Sequence, residues 1–160
     1  MIHVGDQLPA ATLRRMTADG IKEVSVAELT QGRKVVVFAV PGAFTPTCSE
    51  KHLPSFLENA AALKAKGIQA IACVAVNDPF VLGAWDHATG VDGRIELLSD
   101  GNGEFTKALG LEFDGSAAGL GTRSKRYAMV VDNGVVRTLL VEDAPGQAEK
   151  TSAQAVLATL

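Results

Sequence analysis

A mixed α/β fold, with one central sheet covered by helices on both faces, is predicted by three features of the 160-residue sequence. Two β-branched runs, KVVVFAV at 34–40 and IQAIACVAV at 68–76, read as strands buried on both faces. Each is followed by apolar residues at helical spacing, which implies parallel crossovers. The third feature is YAMVVDNGVVRTLLVE, two alternating strands around Asn133-Gly134, which adds an antiparallel hairpin.

The remaining elements follow in chain order. TLRRM and IKEVSV, separated by TADG, predict an N-terminal hairpin closed by Gly20. Ser25 and Glu28 stand at capping-box spacing and open a short helix. Leu53, Phe56, Leu57, Ala60 and Leu63 give one apolar face to a helix that stops at Gly67, and Pro54 should kink it. Asp78 and Pro79 are the cap and first residue of the next helix. IELLSD then reads as a short strand, GEFTKALG as a helix ended by Gly110, and TSAQAVLATL as a last helix capped by Thr151 or Ser152.

Composition limits the function classes. A chain of this length buries about 70% of its unfolded surface and needs no disulfide framework, so residues 1–160 read as one domain. A net charge of −3 excludes a field that gathers nucleic acid or acidic membranes. One Trp, one Tyr and six Phe are too few for a base-stacking platform. MIHVGDQLPA lacks the basic and apolar segments of a secretory leader, and no run approaches the roughly 18 apolar residues that span a bilayer. The chain therefore reads as soluble and cytoplasmic, where thiols stay reduced. Two cysteines there point to catalysis or to incidental core positions rather than to a disulfide.

Cys48 carries the chemical signal. It follows the apolar strand at 34–40 within PGAFTPTCSEKH, at a strand-to-helix junction. With Thr45 as cap and Pro46 first, Cys48 is the third helical residue; with Thr47 as cap, it is the first. In both registers the sulfur lies in the first turn, where free amides favour an anion, and the thiolate is the nucleophilic form of cysteine. A cation from elsewhere would assist. Arg123, Lys125 and Arg126 in GTRSKRYAMVV immediately precede a strand, and Lys125 reads as part of a solvated turn. His52 shares a helix face with Cys48, but zinc would want two further ligands. Cys73, His3, His87 and the carboxylates stand at no ligand spacing, so no metal is expected. His52 reads as a polar residue near the site or as an exposed one.

PGAFTPTCS resembles the P-x-x-x-T-x-x-C signature of peroxiredoxins. VVVFAVPGAFTPTCSEKHLPSF, KGIQAIACVAVNDPFVLGAW and SKRYAMVVDNGVV are similar to the atypical type-II, peroxiredoxin-5-like branch, and the resemblance extends over nearly the whole chain. It implies a thioredoxin-like fold and thiol-dependent reduction of hydrogen peroxide and organic hydroperoxides through a sulfenic acid, without metal, haem or flavin. By this resemblance Cys48 is the peroxidatic nucleophile and Thr45 supplies a hydroxyl to sulfur and peroxide. Pro41 shields the pocket, Arg126 is the site guanidinium and Arg123 a second basic neighbour. Some members of the branch carry a resolving cysteine near the C-terminus, whereas EDAPGQAEKTSAQAVLATL has none. Cys73 is then either a resolving thiol or a small core residue, and the electron donor is glutathione with glutaredoxin, or thioredoxin. The branch also implies a homodimer formed through the active-site end, with Phe44, Phe80 and Trp85 near the contact. A disulfide reductase would want C-x-x-C, and Thr45 occupies the first of those positions. The non-enzymatic alternative is a redox sensor signalling through Cys48 oxidation.

Overall fold

The computed structural model describes residues 1–160. Strands β1 (Thr12–Thr17) and β2 (Gly20–Ser25) form the N-terminal hairpin, with Gly20 at a φ of +108°. The Ser25 hydroxyl accepts the Glu28 N–H at 3.0 Å and starts α1 (Val26–Thr30). Strand β3 (Lys34–Val40) leads through a loop into a π-helical turn (Cys48–His52) and then α2 (Leu53–Ala65). Next come β4 (Ala70–Ala75), α3 (Pro79–Thr89), β5 (Glu96–Ser99) and α4 (Glu104–Leu109). A small ribbon of β6 (Glu112–Asp114) and β7 (Thr122–Ser124) precedes β8 (Tyr127–Asp132), β9 (Val135–Val141) and α5 (Ala153–Leu157).

The main sheet has seven strands in the order β2-β1-β5-β4-β3-β8-β9. Both predicted crossovers are parallel, β3 with β4 and β4 with β5, while β8 runs antiparallel to β3 and to β9. This is the thioredoxin-like arrangement, with β4 at the middle of the sheet and β3 paired between β4 and β8. Alternation along the central strands divides the core in two. Val36, Phe38 and Val40 of β3, with Ile71 and Cys73 of β4, face α2, α3 and α5. Val35, Val37 and Ala39, with Ala72 and Val74, face α1 and α4. Helices thus cover both faces, and no helix is long and apolar enough to cross a membrane.

Two details depart from the sequence-based expectations, and the alternative left open for the α5 cap is decided. Asn133 and Gly134 adopt φ of 49° and 81° and close the β8–β9 hairpin as expected, but the β6–β7 ribbon was not foreseen. Its strands are three residues long, too short to show a period. Ser152, not Thr151, caps α5 by accepting the Ala155 N–H at 3.1 Å. The second departure is at Pro54, which lacks the N–H that an α-helix would use, and whose ring would crowd the carbonyl one turn back. The chain accommodates it by widening the preceding turn: the Leu53 N–H bonds the Cys48 carbonyl five residues earlier. Such π turns are rare and recur at functional sites.

Candidate functional site: a buried cysteine under a guanidinium

Cys48 sits where β3 ends, after a loop that is held from two directions. The Ala43 N–H donates to Oδ1 of Asn77 at 2.9 Å, tying the loop to the β4–α3 connection. Arg123 donates to the Pro41 carbonyl at 3.3 Å and to the Leu120 carbonyl at 2.9 Å. A side chain at Gly42 would come within 2.8 Å of that guanidinium and displace it from its place over the loop. Phe44 is exposed and adopts a φ of +63°, a left-handed conformation that costs a bulky residue of order 1 kcal/mol. Strain of this kind persists only because the neighbouring contacts hold the loop.

Helical geometry starts at Pro46, and the Ser49 N–H bonds the Thr45 carbonyl at 3.0 Å. Thr47 has helical dihedrals, so the register with Thr45 ahead of the helix is the one adopted and Cys48 is the third helical residue. Its side chain is buried, with no exposed surface. The Thr45 hydroxyl donates to the Gly42 carbonyl at 2.6 Å rather than to the sulfur, leaving its oxygen lone pairs to accept. Pro41 is buried at the end of β3.

Arg126 is the side chain that meets Cys48. It immediately precedes β8, whose antiparallel register sets Tyr127 opposite Ala39 and so carries Arg126 to the end of β3. Its Nη2 donates to Sγ of Cys48 at 3.1 Å and to the Pro145 carbonyl at 3.0 Å. Its Nε donates to the same carbonyl at 3.3 Å, and its Nη1 approaches Nδ1 of His52 at 2.9 Å. Arg126 is only 2% exposed. A buried cation is tolerated when its donors are met, and all three guanidinium nitrogens here have partners. Arg123 reaches the loop backbone and Lys125 is exposed, so of three neighbouring cations only Arg126 touches the sulfur.

His52 is neither exposed nor incidental. It is fully buried, packed against Phe38 and Phe56 at ring distances of 5.0 and 5.6 Å. Its Nε2 lies 2.9 Å from the Thr151 carbonyl. An imidazole between a carbonyl and a guanidinium must donate from Nε2 and accept at Nδ1, which makes it neutral. Burial first, and the Arg126 charge second, push its pKa down to about 3, against a smaller upward pull from the Thr151 carbonyl. Thr151 in turn donates its N–H and its hydroxyl to the buried Glu142 carboxylate, each at 2.7 Å. Sequence reasoning missed this line of contacts. Cys48 and His52 at i, i+4 did signal a shared face, but their common partner lies 74 residues beyond His52.

Two other sequence-based expectations need correction or placement. Trp85 was expected near a surface contact; it is wholly buried in the core, and its indole N–H donates to Ser49 Oγ at 3.0 Å. An indole in a solvent-poor core finds a partner on the turn beside Cys48, which surface patterning does not reveal. Cys73 is a free thiol in β4, buried in the same core cluster as Cys48. Desolvation, then the neighbouring Cys48, raises its pKa, and Arg126 opposes that rise.

Fold and site together define a class: thioredoxin-like proteins that present a single cysteine at a helix start, facing a guanidinium, in place of a C-x-x-C pair. The Redoxin family profile matches residues 3–157. Peroxiredoxin-2E-2, chloroplastic, of Oryza sativa subsp. japonica is 57% identical over 164 residues, covering 99% of this chain and 72% of that protein. Peroxiredoxin-2E, chloroplastic, of Arabidopsis thaliana is 49% identical over 163 residues, covering 99% and 69%. The crystal structure of reduced Prx3 from Vibrio vulnificus in complex with hydrogen peroxide superposes with a TM-score of 0.93 at 53% identity, covering 99% of each chain. The chain belongs to the redoxin family, and within it to the type-II peroxiredoxins, which makes it a thiol-dependent peroxidase. The cytoplasmic location expected from the sequence is overturned by these relatives, two of which are chloroplastic proteins. That expectation rested on composition and ten N-terminal residues, and neither encodes a compartment.

The neutrality of His52 has a measurable consequence. Its unfolded-state pKa is 6.5 and its folded value about 3, so between those values the unfolded chain binds more protons and stability falls as pH falls. At about 1.4 kcal/mol per unit, lowering the pH from 7 to 5 should cost about 2 kcal/mol from this residue alone. Urea midpoints at the two pH values should show that loss in the wild type and a smaller one in His52→Asn. Equal losses in the two proteins would contradict a buried neutral imidazole.

Proposed function

We propose that Cys48 is the peroxidatic nucleophile and that Arg126 and the Thr45 loop stabilise its reaction with peroxide. The observation that carries this reading is the 3.1 Å contact between Nη2 of Arg126 and Sγ of Cys48 inside the protein. A thiolate lying beside a guanidinium and in the first turn of a helix is favoured by both positive ends. The sulfur attacks the nearer peroxide oxygen, the O–O bond breaks heterolytically, and Cys48 becomes a sulfenic acid that keeps the peroxide proton. The departing hydroxide or alkoxide takes a proton from solvent. Negative charge moves from sulfur to the leaving oxygen, and fixed donors around the sulfur can follow it, lowering the barrier. The hydrogen peroxide bound to the Vibrio vulnificus relative supports peroxide as the substrate class. Pro41, buried beside the end of β3, shields the pocket from water. Arg123 holds the loop backbone and takes no part in charge transfer.

Cys48→Ser should abolish peroxide consumption in a coupled assay while leaving the thermal transition within a few degrees of the wild type. Arg126→Gln removes a charge-assisted donor and should slow the peroxide reaction about 30- to 1,000-fold, or about 2–4 kcal/mol. Arg123→Gln should cost less. A larger loss from Arg123→Gln would reverse the two assignments.

Resolution of the sulfenic acid is assigned to an external thiol, glutathione with glutaredoxin in the first instance and thioredoxin as the other donor. That thiol displaces water to form a mixed disulfide, which a second thiol reduces. Cys48 is buried, so the incoming thiol needs the π-helical turn to open, and this turn lacks regular α-helical bonding. Cys73 lies inside a paired strand and its ionisation is suppressed, which makes it the slower partner. One equivalent of peroxide followed by intact mass spectrometry tests this assignment. Loss of two hydrogens in the wild type, with Cys73→Ser unable to turn over with any donor, would defeat it.

A homodimer through the active-site end is the proposed assembly, with exposed Phe44 and Phe80 as its apolar contacts and buried Trp85 excluded. Light scattering at micromolar concentration should give twice the 16.7 kDa chain mass, and a monomer would remove the assembly.

A further inference from the structure

Arg126 has an unusual set of partners for a buried cation. None of the three ion pairs in the molecule includes it. Its nitrogens meet the Pro145 carbonyl, Nδ1 of His52 and Sγ of Cys48. The first two are neutral acceptors, so the sulfur is the only bonded partner able to carry a negative charge. A buried carboxylate does lie close by: Glu142 lines the same cavity as Arg126, but its bonds go to the N–H and hydroxyl of Thr151. Thr151 thereby occupies the carboxylate and offers its carbonyl to His52. That carbonyl fixes the imidazole proton on Nε2 and leaves the Nδ1 lone pair for the guanidinium.

Orientation and charge pull in different directions here. A carboxylate at position 52 would hold the guanidinium more firmly, because charge-assisted bonds are about twice as strong as neutral ones. It would also neutralise the cation and weaken its hold on a thiolate. An apolar residue would leave the charge intact but lose the aim. A neutral acceptor with one fixed lone pair meets both needs, and the aromatic walls of Phe38 and Phe56 keep the ring in place.

We propose that His52 is a positioning residue for the peroxidase reaction, a neutral acceptor that aims the Arg126 guanidinium at Sγ of Cys48 without neutralising it. The inference rests on the assignment of Cys48 and Arg126 made above. The ionisable groups around the guanidinium are Cys48, Cys73 and His52, together with Glu142, Lys125 and Asp143 along its cavity, and only position 52 is varied.

The test compares His52→Asn, His52→Asp and His52→Leu with the wild type, following peroxide oxidation by stopped-flow Trp85 fluorescence from pH 4 to 9. Thermal melts report folding. Asn places a neutral oxygen near the Nδ1 position and should keep the rate within about five-fold of the wild type. Leu should slow it about ten-fold or more, the scale of one lost hydrogen bond to a charged group. Asp has the shape of Asn and adds a charge, so its pH–rate midpoint should rise by about one unit relative to Asn, the low end for a change in neighbouring charge. A purely structural role would move the melts and leave the Asn and Asp midpoints together. Coincident Asn and Asp midpoints, or Leu reacting as fast as Asn, would overturn the inference. If Leu does not fold, the Asn and Asp pair decides by itself. Arg126→Gln in the same assay separates the two levels. A wild-type rate there defeats the underlying assignment, whereas a slow Arg126→Gln with indistinguishable His52 variants defeats only the role of His52.

Discussion

The contact on which the site depends is the buried guanidinium of Arg126. Desolvating a cation is costly, so every neighbour must answer it, and those answers organise three separate stretches of chain. The Pro145 carbonyl brings the segment after β9 over the site, His52 brings the π-helical turn, and Cys48 brings the reacting atom. Remove the cation and three acceptors, two of them on the fully buried Cys48 and His52, lose their donor together.

The sheet makes that contact possible. Because β8 pairs antiparallel with β3, Arg126, just before β8, lands beside the end of β3, and Arg123 in the preceding ribbon reaches the Pro41 carbonyl from 82 positions away. The central strands are buried on both faces, so their ends are rigid platforms, and the variable geometry is confined to the loop and turn between Pro41 and His52. There the chain departs from regular structure twice, at the left-handed Phe44 and in the π turn forced by Pro54. Both departures are held by long-range contacts, from Asn77 at Ala43 and from Trp85 at Ser49. Cost stored at a reactive site and offset by a well-packed core is the general pattern for such sites.

Carboxylates are kept off the cation. Glu142 is buried a few ångströms along the chain of contacts but spends its charge on Thr151. Asp100, also buried, accepts from the N–H groups of Phe105 and Thr106 at the start of α4 on the other side of the sheet. The thiol beside Arg126 is thus spared competition for its partner. The second cysteine has the opposite environment: Cys73 lies within β4, where burial favours the neutral thiol.

What the sequence determined by itself was whatever local periodicity and local caps encode. Alternation in KVVVFAV, the Asn133-Gly134 turn, the Ser25 and Asp78 caps and the crossovers around β4 were all legible, because each needs only neighbours within a few residues. The oddly placed Cys48 was legible too, since it stands among Pro, Thr and Ser at a strand end, outside the apolar runs where a core cysteine is usually found. The family resemblance singled out Arg126 from Arg123 and Lys125, but the physical reason it reaches the sulfur is tertiary, because strand register, not residue type, selects among these neighbouring cations. Tertiary structure alone decided that His52 is buried and neutral, and that Trp85 points inward to Ser49. Those outcomes depend on partners 74 and 36 residues away, and no local pattern of polarity carries the position of a partner that distant.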